Sequence, residues 1–122
     1  MRILVIDDDF EIRKLLTRTF SRWGHEVYCL ANGDEVVAHC AKRPNHYDVV
    51  LLDVIIPGIP GTGVYRWLRE MSPNLRIILM TGLINSEKVM TALNEGAELL
   101  PKPFDDKSLK RIVVDGEPAI CR

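Results

Sequence analysis

Acidic, hydroxyl and amine side chains follow short apolar runs at four places in this chain. Asp7 and Asp8 follow ILVI, Asp53 follows VVLL, Thr81 follows IILM, and Lys102 comes shortly after AELL. Carboxylates can hold a hard divalent cation or attack as nucleophiles, whereas a hydroxyl and an ammonium group can contact a bound anion. The same residue types are the equipment of phosphoryl transfer, in which positioning and charge neutralisation provide most of the catalysis.

Each of these residues also has an ordinary structural interpretation. Asp8 could only cap a helix, Thr81 could only end a strand, and Lys102 could be a solvated surface lysine. Together, however, three carboxylates at one place would repel by ~4 kcal/mol per pair at ~4 Å with an effective dielectric constant of ~20. Lys102 offsets one of the three charges. A hard divalent cation would neutralise the remaining charge of about −2, and oxygen ligands favour Mg²⁺.

Alternating strands and helices must position these residues. Short, mostly apolar runs predict five strands, over residues 2–6, 26–30, 49–52, 75–80 and 97–100. The intervening helices are predicted to begin at these caps: Asp8 or Asp9, Asn32, the turn 57–61, and Asn85 or Ser86. Leu15, Leu16 and Met90 are among the apolar helix positions expected to face the sheet.

This alternation predicts one doubly wound α/β domain. Each crossover is long enough to make consecutive strands parallel, with right-handed connections. The carboxyl ends of parallel strands lie at one edge of the sheet, where ligands bind in open α/β folds. Residues from four separate segments should therefore meet there.

Composition argues against several classes of protein. Sixteen basic and seventeen acidic residues give a formal charge of −1 without long runs of either sign, so no direct nucleic acid binding is expected. The three cysteines show no CxxC spacing and are predicted to be reduced, and the three histidines lack metal-ligand spacing. The chain starts with a predicted strand, and its apolar runs are much shorter than a membrane span, so a cytoplasmic location without membrane association is expected.

Four motifs taken together resemble the response-regulator receiver domains of two-component signal transduction. They are VIDDD, LLDVIIPGIPG, LMTG and KPF, in the order and spacing typical of that family, and they extend over nearly the whole chain. The resemblance implies a flavodoxin-like, five-stranded parallel sheet in the order 2-1-3-4-5, with helices on both faces. We expect the receiver domain to occupy residues 1–116 and residues 117–122 to form a short tail, with no effector domain.

The resemblance also implies roles for individual residues. Asp53 would be the phosphoacceptor, and the Thr81 hydroxyl, the Gly82 backbone N–H and the Lys102 ammonium would contact the phosphoryl group. The ligands of Mg²⁺ would be Asp7 (directly or through water), Asp8, Asp53 and the backbone carbonyl of Ile55. The Lys102–Pro103 peptide bond is cis in the family, which would aim Lys102 inward.

Several positions depart from the family pattern, among them Pro60, where an Asp is frequent in the family. Ile55 stands where many members have a polar residue, and Leu83 is the apolar residue two positions after Thr81. Both would flank the path of an attacking water, so we expect slow self-dephosphorylation. Leu99 replaces an aromatic residue, so an aromatic rotamer switch is absent and coupling would pass through the segment 81–82 and the next helix.

The first functional interpretation is a phosphorylation-switched signalling domain. A sensor histidine kinase or phosphotransfer protein would donate its phosphoryl group to Asp53, and the added charge would switch a surface read by an unknown downstream protein. We expect self-catalysed phosphotransfer and dephosphorylation but no metabolic enzyme, and a monomer or a phosphorylation-dependent dimer. The alternatives are a phosphorylation-inactive scaffold and, less favoured, a small phosphatase with Asp53 as nucleophile; such phosphatases carry a second acid where this chain has Ile55.

Overall fold

The computed structural model describes residues 1–82 and 86–119 of the chain. Within these residues five strands alternate with helices. The strands are β1 (Arg2–Ile6), β2 (Glu26–Leu30), β3 (Val49–Asp53), β4 (Arg76–Thr81) and β5 (Glu98–Pro101). The helices are α1 (Phe10–Arg22), α2 (Gly33–Ala41), α3 (Gly61–Met71), α4 (Glu87–Asn94) and the short α5 (Asp106–Ser108), which continues as a π-helical segment (Leu109–Val114).

The five strands form one parallel sheet in the order β2-β1-β3-β4-β5. This confirms the predicted strand order and fold class. Ile6 is in register with Leu52, and Thr81 at the end of β4 is in register with Pro101 at the end of β5. The carboxyl ends of the inner strands are therefore nearly level, which brings the residues after them to one edge.

Two layers of helices cover the sheet and explain why its strands are continuously apolar. All five residues of β3 are buried. Val50 and Leu52 face the core formed with α2, α3 and α4, whereas Val49 and Leu51 face the core formed with α1 and the π-helical segment. The period of two along each strand thus supplies both cores, and the sheet becomes a rigid support for its edge.

Several details of the predicted elements were wrong. Leu15 and Met90 are 42% and 45% exposed, because the neighbouring residues Leu16 and Val89 take the buried positions. Consecutive helix residues point about 100° apart, so two adjacent apolar residues cannot both face the sheet squarely. β4 and β5 each lie one residue later than predicted, since their limits follow the pairing with the neighbouring strand.

The helix caps were predicted in part. The Asp9 side chain, and not that of Asp8, accepts the capping hydrogen bond at α1, from the Glu11 N–H at 2.9 Å. The Asn32 cap of α2 is confirmed, with its side chain accepting from Glu35 N–H at 2.9 Å. Ser86 stands at the N-cap of α4 without a side-chain capping hydrogen bond, and the alternative Asn85 lies outside the described residues.

No helix in residues 1–82 and 86–119 has both the length and the apolar composition required to cross a lipid bilayer.

Candidate functional site

Three carboxylates gather at the carboxyl edge of the sheet. One oxygen from each of Asp7, Asp8 and Asp53 lies within 4.8 Å of the other two. Asp7 is fully buried and Asp53 is 9% exposed, whereas Asp8 is exposed. Asp53 ends β3, and Asp7 follows β1 directly, so the pairing of these two central strands places the two buried acids side by side.

Lys102 supplies the positive charge of this cluster. Its Nζ donates hydrogen bonds to Asp7 Oδ2 at 3.0 Å and to Asp53 Oδ2 at 3.1 Å. Its backbone N–H donates to the Thr81 carbonyl at 3.1 Å, and the Lys102–Pro103 peptide bond is cis. Because one ammonium group faces three carboxylates, the cluster is acidic even with its lysine in place.

The ionisation of Asp53 and Lys102 reflects both burial and pairing. Burial raises the pKa of Asp53 above its ordinary value, and the charge of Asp7 acts in the same direction. The Ile55 N–H, 3.1 Å from Asp53 Oδ1, and the Lys102 ammonium oppose that rise. Desolvation lowers the pKa of Lys102, but the hydrogen bonds to Asp7 and Asp53 outweigh it, so this pKa lies above its ordinary value. Lys102 is therefore positively charged at neutral pH.

The other predicted residues lie around the cluster. Thr81 is 3% exposed at the end of β4, and Gly82 follows it. A Cβ atom built on Gly82 would meet the Lys102 carbonyl oxygen at 3.7 Å, an ordinary contact, so the space around Gly82 does not itself exclude a side chain. The Ile55 side chain is 66% exposed beside Asp53, and Leu83 lies outside the described residues.

The donor set of the cluster fits a hard divalent cation. Carboxylate oxygens are the ligands that Mg²⁺ prefers, and Mg²⁺ sites in proteins commonly use one or two carboxylates together with water. In the described part of the chain, this is the only group of three or more His, Cys, Asp or Glu side chains close enough to share an ion. The sequence therefore predicted an arrangement that the fold brings together.

Sequence reasoning missed Arg13. Its Nη1 donates a hydrogen bond to the backbone carbonyl of Asp7 at 2.8 Å, so it contacts the segment that carries the acid pair. Helical periodicity indicates only that Arg13 lies among the polar positions of α1. No pattern in the sequence reveals which backbone atom its side chain reaches.

Comparison with known proteins decides the family. Residues 3–114 match the family model described as a response regulator receiver domain. The chain belongs to this family. Receiver domains are signalling modules that are phosphorylated on an aspartate, bind Mg²⁺ at an acidic pocket and interact with histidine kinases or phosphotransfer proteins. The resemblance read from the four motifs is thereby confirmed.

Relatives of this receiver domain differ in overall length. Sporulation initiation phosphotransferase F of Bacillus subtilis is 34% identical over 118 residues, which cover 92% of this chain and 90% of that protein. The DNA-binding transcriptional regulator NtrC of Azospirillum brasilense is 37% identical over 112 residues, which cover 91% of this chain but only 23% of NtrC. The chain thus spans about a quarter of the length of the NtrC relative.

Solved structures of receiver domains have the same fold. Chemotaxis protein CheY4 of Vibrio cholerae superposes with a TM-score of 0.82 at 27% identity, covering 93% of this chain and 96% of CheY4. A response regulator receiver domain protein of Clostridium thermocellum gives a TM-score of 0.85 at 28% identity, covering 93% of this chain and 91% of that one.

Proposed function

We propose that Asp53 is the residue phosphorylated in this receiver domain, in a Mg²⁺-dependent reaction. The observation that carries the proposal is the contact of one Asp53 oxygen with the Lys102 ammonium at 3.1 Å, beside the oxygens of Asp7 and Asp8. A carboxylate in such a position can attack phosphorus while its neighbours stabilise the charge on the transferred group. The donor would be a histidine kinase or a phosphotransfer protein.

The proposed reaction moves one phosphoryl group between two side chains. A carboxylate oxygen of Asp53 forms a bond to phosphorus as the bond from phosphorus to the donor imidazole nitrogen breaks, and that nitrogen takes up a proton. Lys102, the Thr81 hydroxyl and the Gly82 N–H would contact the phosphoryl oxygens. Asp7, Asp8, Asp53 and the Ile55 carbonyl would hold Mg²⁺, whose charge would offset that of the phosphoryl oxygens.

The protonation states support nucleophilic attack by Asp53. Its pKa is raised by burial, which alone would favour the unreactive protonated form. The Lys102 ammonium and the Ile55 N–H favour the ionised carboxylate, as would a cation held by the acid pair. The site thus keeps a nucleophile that is ionised but poorly solvated.

The product of this reaction is a signal rather than a metabolite. We propose that phosphotransfer and dephosphorylation are catalysed by the domain itself, and that an unknown downstream protein reads the phosphorylated surface. We further propose that the receiver unit ends near residue 116, that the protein is a monomer or a phosphorylation-dependent dimer, and that it does not bind nucleic acid directly, given its formal charge of −1.

Incubation with a small phosphodonor and Mg²⁺ tests the proposal. The expected result is a stable mass gain of one phosphoryl group in the wild-type protein and no gain in Asp53→Asn. Asp48→Asn is the matched control, because Asp48 is an exposed acid just before the other end of β3. This variant should be phosphorylated like the wild type.

Three results would contradict the proposal. Continuous turnover of the donor without a stable adduct would indicate a small phosphatase. A mass gain that persists in Asp53→Asn would move the phosphoacceptor to another residue, and the absence of any gain in the wild type would indicate an inactive scaffold.

A further inference from the structure

We propose that Arg13 is a positioning residue for the cation site, because it fixes the peptide group that joins Asp7 to Asp8. The inference rests on the proposed function, since it concerns the same site. Arg13 lies in the first turns of α1, and its Nη1 donates to the Asp7 carbonyl oxygen at 2.8 Å.

Asp7 is anchored at every polar atom by a different part of the fold. Its backbone N–H donates to the Leu30 carbonyl at 3.1 Å, which ties it to β2. Its Oδ1 accepts from the Asp9 N–H at 2.9 Å, and its Oδ2 accepts from Lys102. The remaining polar atom, the backbone carbonyl oxygen, is the one that Arg13 holds.

Asp8 lacks such anchors of its own. Within residues 1–82 and 86–119, its exposed carboxylate makes no hydrogen bond or ion pair, although one of its oxygens lies within 4.8 Å of those of Asp7 and Asp53. The helix cap is taken by Asp9 instead. The direction of the Asp8 side chain is therefore set mainly by the backbone from which it projects.

Peptide planarity connects Arg13 to Asp8. The Asp7 carbonyl and the Asp8 N–H belong to one rigid plane, so a hydrogen bond to that carbonyl also orients the Cα atom of Asp8. Without Arg13, the buried carbonyl would lose its donor, and the plane could rotate towards another partner. Such a rotation would move the Asp8 carboxylate away from the other two acids while β1 stayed in place.

The guanidinium group of Arg13 also lies near an aromatic ring. The Arg13 Cζ lies 5.8 Å from the centroid of the Phe10 ring, within the range of a cation–π contact. In the described residues Arg13 makes no ion pair with a carboxylate, and its hydrogen bond to the acid segment is to a backbone carbonyl. Residues that orient metal ligands in this indirect way commonly change metal affinity by about 10-fold or more when they are removed.

The test measures Mg²⁺ binding and backbone order in three variants. Arg13→Met removes both the hydrogen-bond donor and the charge. Arg13→Lys keeps a donor and the charge but lacks the planar guanidinium group. Lys14→Met is the control, because it removes one charge from the next residue of the same helix. Mg²⁺ itself is the probe, titrated by calorimetry. Amide hydrogen exchange of Asp9, whose N–H donates to Asp7 Oδ1, is measured by NMR without Mg²⁺, and thermal unfolding is measured in parallel.

We expect Arg13→Met to bind Mg²⁺ about 10-fold more weakly than the wild type, with faster exchange at the Asp9 amide before any Mg²⁺ is added. Lys14→Met should match the wild type in both measurements. Arg13→Met should melt at a somewhat lower temperature, because the Asp7 carbonyl loses its donor, but it should be folded at the temperature of the titration. Arg13→Lys should show a smaller loss in the same direction. If Arg13→Met fails to fold, the exchange rates and Mg²⁺ affinity of Arg13→Lys decide whether Arg13 positions the cation site.

The inference is overturned if the Arg13 variants keep wild-type affinity and exchange, or if Lys14→Met weakens binding as much as Arg13→Met, which would make the effect one of net charge. Failure of the proposed function looks different: the wild-type protein itself would show no saturable Mg²⁺ binding. Arg13 would then have no cation site to position.

Discussion

Charged side chains cluster at both edges of the central sheet, but the two clusters are built differently. At the carboxyl edge, Lys102 faces the three carboxylates described above. At the opposite edge, Arg76 at the start of β4 forms a two-pronged pair with Glu98 at the start of β5, at 2.7 and 2.8 Å. Arg76 also donates to the carbonyls of Ile112 and Val113 at 3.1 and 2.9 Å.

The difference lies in the balance of charge and hydrogen bonds. Arg76 donates four hydrogen bonds, to Glu98 and to two backbone carbonyls, and it ties β4, β5 and the π-helical segment together. The carboxyl edge has an excess of acid that only a further positive group can balance. A balanced pair of this kind stabilises the fold, whereas an unbalanced, partly buried cluster costs stability and is typical of a site that acts on a ligand.

The largest effect is expected when the pair of Arg76 and Glu98 is broken. Arg76→Met should lower the free energy of unfolding by about 2 kcal/mol, less than for a fully buried pair because the two side chains are 31% and 30% exposed. Urea unfolding measures this, with Arg2→Met as control, since the Arg2–Glu26 pair is 53% and 78% exposed. Phosphorylation of the folded Arg76→Met protein should be unchanged. Equal stability of the two variants would contradict the structural role of Arg76.

Removing a charge from the carboxyl edge should raise the free energy of unfolding instead of lowering it. Asp53→Asn deletes one of three like charges while Lys102 keeps its bond to Asp7, so the metal-free protein should gain about 1 kcal/mol of stability. Urea unfolding without Mg²⁺ measures the gain, and Asp48→Asn should show none. Added Mg²⁺ should stabilise the wild type more than the variant. A less stable Asp53→Asn protein would show that the acids are not in net repulsion.

Ile55 allows a test of how well the carboxyl edge protects a bound phosphoryl group from water. Its side chain is 66% exposed next to the proposed phosphoacceptor, where an apolar group hinders the approach of water. In Ile55→Asn the phosphoryl group should be lost severalfold faster, which decay of the phosphorylated mass with time would measure. A longer lifetime in the variant would contradict the prediction of slow self-dephosphorylation.

The smallest expected effect is a difference in pH dependence. His39, in the last turn of α2, bonds to the Tyr47 hydroxyl and stacks on Tyr28, and its pKa is lowered by desolvation and then by the charges of Arg43 and His46. The unfolded chain therefore binds a proton on His39 more tightly than the folded protein does. The contribution of neutral His39 to the free energy of unfolding is fully present above about pH 6.5, and it is lost as the pH falls towards the folded-state pKa.

The raised pKa of Asp53 acts in the opposite direction. The folded state binds that proton more tightly, so stability is gained as the pH falls from the folded-state value through about 3.8. Unfolding measured across pH should show a loss of a few tenths of a kcal/mol in the histidine range, reduced in His39→Gln. The low-pH gain should be absent in Asp53→Asn. An unchanged slope in His39→Gln would show that His39 does not contribute to the pH dependence of stability.

Much of this architecture could be predicted because its signals are local. Short apolar runs ending at Asp7, Asp53 and Thr81 indicate strands, and the alternation with helices requires parallel pairing. The helix caps at Asp9 and Asn32 could be predicted for the same reason, although the sequence could not distinguish Asp8 from Asp9 as the cap of α1. That choice matters, because it leaves the Asp8 carboxylate available to the acid cluster.

The sequence by itself determined which residue types stand at the strand ends, since that depends on where the short apolar runs stop and on chain order. Only the tertiary structure decided that Lys102 bonds to both Asp7 and Asp53, which are 95 and 49 positions away, and that Arg13 reaches the Asp7 carbonyl. Such contacts depend on how level the strand ends are and on how each helix is rotated against the sheet. Those quantities are set by packing across the whole core, and no local pattern records them.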